Sequence, residues 1–287
     1  MPLVYLNGAL VPEEEAKVPV KDRALLFGDG AYEAMRSYSG KFFRFPEHLC
    51  RLRHSLEGMR LDLPVTDAEI TAGALALIEA NRIPDARLRL TVTGGEFGGE
   101  IRLRRTHPPN LIMTTFPLKT PPEEAYRDGV GVILSPWRMH TESPLPRLKT
   151  VNRLLHLMAK EEALARDAWE ALFRDESGAL LEGTATNVFL VVDGVLVTPS
   201  LAGPLLAGVT RDAVLEVARA AGVPVREARV DVLDLARASE AFLTSTTLEV
   251  LPIRSVDGKP LGEGRPGPVG PRLRQALRDL IRRELAL

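Results

Sequence analysis

The stretch ALFRDESGALLEGTATNVFLVVDGVLV, residues 171–197, decides the fold class, because it reads as two β-hairpins in succession. Ala171-Leu172-Phe173 turns through Glu176-Ser177-Gly178 into Ala179-Leu180-Leu181, and residues 187–192 turn through Asp193-Gly194 into residues 195–197. Asp-Gly between two apolar runs suits a type I′ turn, whose central residues both need positive φ. Outward from these hairpins the period changes. Residues 211–221 read as a helix stopped by Gly222, with Pro224 just beyond. A short strand, 241–243, feeds the hydroxyl-rich run Thr244-Ser245-Thr246-Thr247, and a helix from about Arg272 closes the chain. On the other side, Val151, Leu154, Leu155 and Met158 recur at i, i+3, i+4, i+7, which predicts a helix starting near Lys149.

The first third mixes the same two periods. Residues 4–6 read as a strand entering an Asn7-Gly8 turn, and Leu49, Leu52, Leu56 and Met59 mark an amphipathic helix over 47–59. Thr66 and Glu69 form a capping box for a second helix that runs to about Ala80. Leu88, Leu90 and Val92 alternate with Arg87, Arg89 and Thr91 before Gly94-Gly95, and 111–116 is an apolar run of strand length. Residues 117–128, with Pro117, Pro121 and Pro122, are the best linker. The expected architecture is α+β in two domains: a small one over residues 1–118, an interdomain loop over 119–128 and a large one over 129–287.

Composition narrows the function classes. The 37 lysines and arginines nearly balance 38 aspartates and glutamates, so neither a nucleic-acid partner nor an acidic membrane surface is expected. One cysteine, Cys50, excludes an internal disulfide framework and suits a reducing compartment. No apolar run approaches bilayer length, residues 1–7 lack the basic start of a secretory signal, and a cytoplasmic protein is expected. No metal site is expected.

Three features in the second half carry candidate chemistry. Lys149 follows Pro144 and Pro146; a solvated surface lysine is the plain alternative. Glu182 ends an otherwise apolar strand, where an exposed turn residue would also fit. Gly208-Val209-Thr210-Arg211-Asp212 opens a helix: either Thr210 caps it, or its unpaired amides and dipole hold a phosphate.

Six segments, in this order, resemble the class IV aminotransferases, the fold-type IV pyridoxal-phosphate enzymes: FGDGAYE (27–33), EHLCRL (47–52), LKTVNRL (148–154), LEGTATNVF (181–189), GVTRD (208–212) and TSTTLE (244–249). The resemblance spans nearly the whole chain. It implies a two-domain, D-amino-acid-aminotransferase-like fold with pyridoxal 5′-phosphate as cofactor. Lys149 would be the Schiff-base lysine and proton shuttle, and Glu182 the partner of the pyridine nitrogen. Arg51, the amides of Val209 and Thr210, and the Thr246 hydroxyl, with Ser245 beside them, would hold the phosphate. The Thr247 amide would meet the substrate carboxylate. A homodimer is likewise implied.

The substrate follows from finer matches. LPIRSVDG (251–258) and GEGRPGPV (262–269) resemble the branched-chain enzymes, and Arg89 matches an arginine that in that family receives the far carboxylate of 2-oxoglutarate. Branched-chain transamination with a 2-oxo acid is the first expectation. Phe-Gly-Asp-Gly with Tyr32 in the substrate pocket resembles the D-amino-acid enzymes, which act on D-amino acids or R-amines; the arginine and histidine they place after the Gly94-Gly95 turn are not evident in residues 96–101. Lys149-x-x-Asn152-Arg153-Leu154 resembles the aminodeoxychorismate lyases, a third and weaker match. These departures suggest that Arg36, Arg87 or Arg153 binds the α-carboxylate.

Overall fold

A computed structural model describes residues 1–287, and the chain divides into two compact units. The first comprises Met1–Lys119, Leu148–Asn152 and Leu285–Leu287; the second comprises Thr120–Arg147 and Arg153–Glu284.

The first unit holds β1 (Leu3–Leu6), β2 (Ala9–Pro12), α1 (Arg23–Phe27), β3 (Gly30–Tyr38), β4 (Lys41–Phe42), α2 (Phe45–Gly58), α3 (Asp67–Asn81), β5 (Ala86–Thr93) and β6 (Leu111–Pro117). Its six strands form one antiparallel sheet in the order β2-β1-β6-β5-β3-β4. The β1–β2 turn has Asn7 at φ 50° and Gly8 at φ 99°, the left-handed conformations that a two-residue hairpin needs. In α3 the capping box closes: the Glu69 amide donates to Thr66 Oγ1 at 3.2 Å, and the Thr66 amide donates to Glu69 Oε2 at 2.7 Å. Leu49, Leu52 and Leu56 of α2 and Ile70, Ala74 and Leu77 of α3 bury their faces on Ala31, Met35, Leu88 and Leu90 of the sheet. Truncating one of these leucines to alanine costs about 2–5 kcal/mol. The opposite face of β3 and β5 carries Tyr32, Arg36, Arg87 and Arg89.

The second unit holds α4 (Glu123–Asp128), β7 (Val130–Met139), α5 (Leu154–Leu164), β8 (Glu170–Asp175), β9 (Leu180–Gly183), β10 (Asn187–Val192), β11 (Val195–Pro199), α6 (Val209–Ala220), β12 (Val225–Ala228), α7 (Val232–Arg237), β13 (Glu240–Ser245), β14 (Glu249–Val256), β15 (Lys259–Pro260) and α8 (Val269–Leu285). Its nine-stranded mixed sheet runs β12-β11-β10-β13-β14-β7-β8-β9, with β15 paired to β14 off this path, and β9 returns to pair with β10. Strands β10, β13, β14, β7, β8 and β9 thereby close into a ring, and the closing pair is Glu182 opposite Asn187. Both hairpins of residues 171–197 are present, the second with Asp193 at φ 50° and Gly194 at φ 78°.

Three local expectations change. Residues 117–128 are not all loop: Pro117 ends β6, and 123–128 form α4, with Glu123 and Glu124 in its first turn favouring the helix dipole. The helix expected near Lys149 begins only at Leu154. Thr210 is not the cap of α6; Gly208 occupies that position and supplies no side-chain cap. No helix is long and apolar enough to cross a membrane.

Candidate active site

Lys149 lies on an extended segment that borders β3. The Tyr32 amide donates to the Lys149 carbonyl at 2.9 Å, the Val151 amide donates to the Gly30 carbonyl at 2.9 Å, and Ala31 and Thr150 form an antiparallel bridge. These bonds explain why no helix forms here: the backbone groups a helix would use are already spent on the strand edge. The Lys149 amide also donates to Ser55 Oγ at 3.0 Å. Gly30 is required where β3 passes between this segment and β5, since a Cβ there would sit 2.6 Å from the Val92 carbonyl oxygen. The Lys149 ammonium stands 5.0 Å from the Tyr32 ring centroid, and the Arg89 guanidinium 4.0 Å from the same ring. Three of the residues expected to meet substrate or cofactor in this unit, Tyr32, Arg89 and Lys149, therefore lie together.

Strand alternation extends that wall. Tyr32, Arg36 and Tyr38 of β3 share a face with Arg87 and Arg89 of β5, because the register places Ala34 opposite Arg89 and Arg36 opposite Arg87. Arg36 stacks over Tyr38 at 4.2 Å and Arg87 over Phe116 at 4.9 Å. Arg153 belongs to the other unit, where its guanidinium donates to the Thr184 carbonyl.

The inward face of β3 carries a surprise that hydrophobic patterning does not flag. Glu33 sits among the core positions and is fully buried, gripped by Arg51 through Nε–Oε1 at 2.7 Å and Nη2–Oε2 at 2.8 Å. His48 Nδ1 lies 2.8 Å from Glu33 Oε2. Burial pushes the Glu33 carboxyl up, but the charge and hydrogen bonds of Arg51, with those of His48, outweigh it and hold Glu33 far below the usual carboxylate range. Burial pushes His48 below its ordinary value against the opposing pull of Glu33, and its Nδ1–H donates to the carboxylate. Arg51 is thus a pre-aimed guanidinium.

After the Gly94-Gly95 turn, basic groups do appear, but later than residues 96–101. Arg60, Arg104, Arg105 and His107 line a cavity of about 510 Å³. Arg105 is committed: its Nη2 donates to the buried Asp29 carboxylate at 2.5 Å and its Nη1 to the Arg60 carbonyl at 2.7 Å.

In the second unit the expected cofactor-binding residues occupy neighbouring elements. Glu182 is buried at the end of β9, and its Oε2 accepts from the Leu206 amide at 3.1 Å. Val209 and Thr210 form the first turn of α6, whose leading amides receive no side-chain cap. Ser245 ends β13, with Thr246 and Thr247 in the turn to β14. The Ser245 hydroxyl accepts from the Leu248 amide at 3.3 Å, so it shapes this turn. Glu182, Asn187 and Thr244 stand in one row across β9, β10 and β13.

Comparison with known proteins points the same way. The family model for amino-transferases of class IV matches residues 30–256. The D-alanine aminotransferase of Bacillus licheniformis is 34% identical, covering 99% of this chain and 98% of its own. The branched-chain-amino-acid aminotransferase of Salmonella typhimurium is 33% identical over 97% of this chain and 92% of its own. The crystal structure of the Escherichia coli branched-chain amino acid aminotransferase superposes with a TM-score of 0.93 at 32% identity, covering 98% of this chain and 94% of that one.

Proposed function

Because the chain belongs to the class IV aminotransferases, a family whose cofactor is pyridoxal 5′-phosphate, we propose that it moves an amino group between a branched-chain-type amino acid and a 2-oxo acid such as 2-oxoglutarate, in two half-reactions. The observation that carries the acceptor is the Tyr32–Arg89–Lys149 arrangement, an amine beside an arginine-lined aromatic wall. The residues present suit the cofactor: an amine, a buried carboxylate that accepts from the Leu206 amide, and a helix start without a side-chain cap. When bound, pyridoxal phosphate supplies an electron sink for charge developing at the substrate Cα. Lys149 Nζ would hold the cofactor aldehyde and carry the Cα proton. Glu182 would hold a proton at the pyridine nitrogen, while Arg51, Val209, Thr210 and Thr246 would orient the phosphate. Arg89 would take the far carboxylate of a dicarboxylic 2-oxo acid, and the Thr247 amide the near one.

The defining experiment is a half-reaction screen with L-Leu, L-Glu, D-Ala, D-Glu and (R)-phenylethylamine, read as loss of cofactor colour and its return on adding 2-oxoglutarate. L-Leu and L-Glu are expected to bleach the protein. Arg89→Leu should raise KM for 2-oxoglutarate roughly 10- to 100-fold, the worth of a charge-assisted hydrogen bond, and leave KM for a monocarboxylic branched 2-oxo acid nearly unchanged. Equal rises for both acids would remove Arg89 from this role.

A D-amino-acid reading has one observation in its favour. The cavity lined by Arg60, Arg104 and His107 brings Arg104 and His107 from beyond the Gly94-Gly95 turn, where that class traps its substrate carboxylate. Bleaching by D-Ala and not L-Leu would establish it.

A cytoplasmic homodimer completes the proposal. Leu154, Leu157 and Met158, spaced along one face of α5, are 65%, 62% and 45% exposed, an apolar stripe that suits subunit contact. Cys50 is exposed and unpaired, in keeping with a reducing compartment. Leu157→Asp should shift the protein from dimer to monomer in sedimentation velocity; an unaltered dimer would exclude this face.

A further inference from the structure

We infer that Asn187 is a positioning residue that fixes the Glu182 carboxylate and the start of α6 as one unit, so that a single side chain sets both ends of the cofactor cradle in this half of the chain. The inference rests on the pyridoxal-phosphate reading of Glu182, Val209 and Thr210.

Asn187 is 6% exposed and stands where the strand ring closes. Its backbone is paired with Glu182 on one side and with Thr244 on the other, and the Asn187–Glu182 pair is the one that joins β9 to β10. Its side chain reaches out of the sheet: Nδ2 donates to the Leu206 carbonyl at 3.0 Å. The amide of the same Leu206 donates to Glu182 Oε2 at 3.1 Å. Leu206 is therefore strapped at both ends, by the carboxylate at its N–H and by Asn187 at its C=O. Two residues later the chain reaches Gly208, the N-cap of α6.

Gly208 closes the argument. Its φ of −80° is one that any residue adopts, so conformational freedom is not why glycine stands there. Space is: a Cβ on Gly208 would lie 1.9 Å from Asn187 Oδ1. The two polar ends of one asparagine thus hold the 206–208 strap, one by a hydrogen bond and the other by close packing. The amides of Val209 and Thr210 take their direction from where that strap ends. An apolar residue at 187 would leave the Leu206 carbonyl without its donor and release the carboxylate's partner as well.

The test uses purified full-length protein stripped of cofactor and titrated with pyridoxal 5′-phosphate. Asn187→Ala is expected to raise the Kd for the cofactor roughly 10- to 100-fold, the range for losing a buried donor. It is also expected to shift the pH midpoint of the bound cofactor's absorbance change, since the Glu182 carboxylate loses its fixed position. Gly208→Ala alone should weaken binding too, because its Cβ collides with Asn187 Oδ1. In the Asn187→Ala background the same glycine change should cost little further, so the double-mutant cycle is non-additive. Should Asn187→Ala fail to fold, the Kd and pH midpoint of Gly208→Ala decide alone. A variant with lowered Tm but wild-type Kd and an unmoved midpoint would show that Asn187 merely closes the sheet, and would overturn the inference. Wild-type protein that takes up no pyridoxal phosphate would instead overturn the reading of the site beneath it.

Discussion

Lys149→Ala is expected to bring transamination down to background while leaving the protein folded. The two consequences separate because the residue's contributions divide cleanly between backbone and side chain. Its main chain carries several structural bonds: the carbonyl accepts from Tyr32, the amide donates to Ser55 Oγ, and the adjoining Thr150 bridges Ala31. Alanine preserves each of them. The ammonium's position over the Tyr32 ring is worth about 0.5–1 kcal/mol for a cation–π pair. The Tm should fall by only a few degrees. On the proposed reading activity has no such reserve, because the same nitrogen would both bind the cofactor and move the proton. Losing the general base alone typically costs about 10²–10⁴-fold, and losing the covalent attachment adds to that. Two measurements check it: single-turnover bleaching by an amino donor, and the mass of the protein after borohydride treatment in the presence of pyridoxal phosphate. Wild type should gain one cofactor mass, the variant none. A variant that retained a tenth of wild-type turnover, or still fixed the cofactor at one site, would remove Lys149 from the centre of the chemistry.

What the sequence disclosed, and what it withheld, divides along the range of the interactions involved. The α3 start was readable because Thr66 and Glu69 bond each other across three residues, and the Asn7-Gly8 and Asp193-Gly194 hairpins because turn chemistry is local. Strand β3 was not read as a strand. Its inward positions are Ala31, Glu33, Met35 and Ser37 and its outward ones include Tyr32 and Tyr38, so the alternation of burial has no matching alternation of hydrophobicity. The Lys149 segment misled in the other direction: Val151, Leu154, Leu155 and Met158 have helical spacing, yet residues 149–151 are claimed by the edge of β3, more than a hundred residues away. Lys149, Glu182 and the 208–212 segment were individually ambiguous, and only the order of six segments singled them out. Glu33, His48 and Asn187 received no role at all. Each acts through a partner that is distant in sequence or on another element, and such pairing leaves no trace in composition or period.

Glu33→Gln is the second change with a large expected effect, this time on stability. The substitution keeps the volume of the side chain and removes only its charge, so packing against Met35 and the helices is preserved. Left behind are a nearly buried guanidinium and a buried imidazole whose acceptor has become an amide. Breaking a buried ion pair from one side costs about 3–5 kcal/mol, because the remaining charge has neither water nor counter-ion. The apo-protein at pH 7 should therefore lose about that much unfolding free energy in guanidinium chloride. The pH dependence gives the sharper test. Glu33 is held far below its ordinary value of 4.5, so the folded chain keeps the carboxylate charged where the unfolded chain would protonate it. A depressed carboxyl contributes its full stabilisation above the unfolded pKa and loses it as pH falls toward the folded one. The gap between wild type and variant should then be constant from pH 8 to about 5 and shrink by about 1.4 kcal/mol per pH unit below about 4.5. A gap of the same size at pH 7 and pH 3.5 would mean that the cost is one of packing. The Glu33–Arg51 pair would then not be what aims the guanidinium, and Arg51 would need another anchor before it could be assigned to a phosphate.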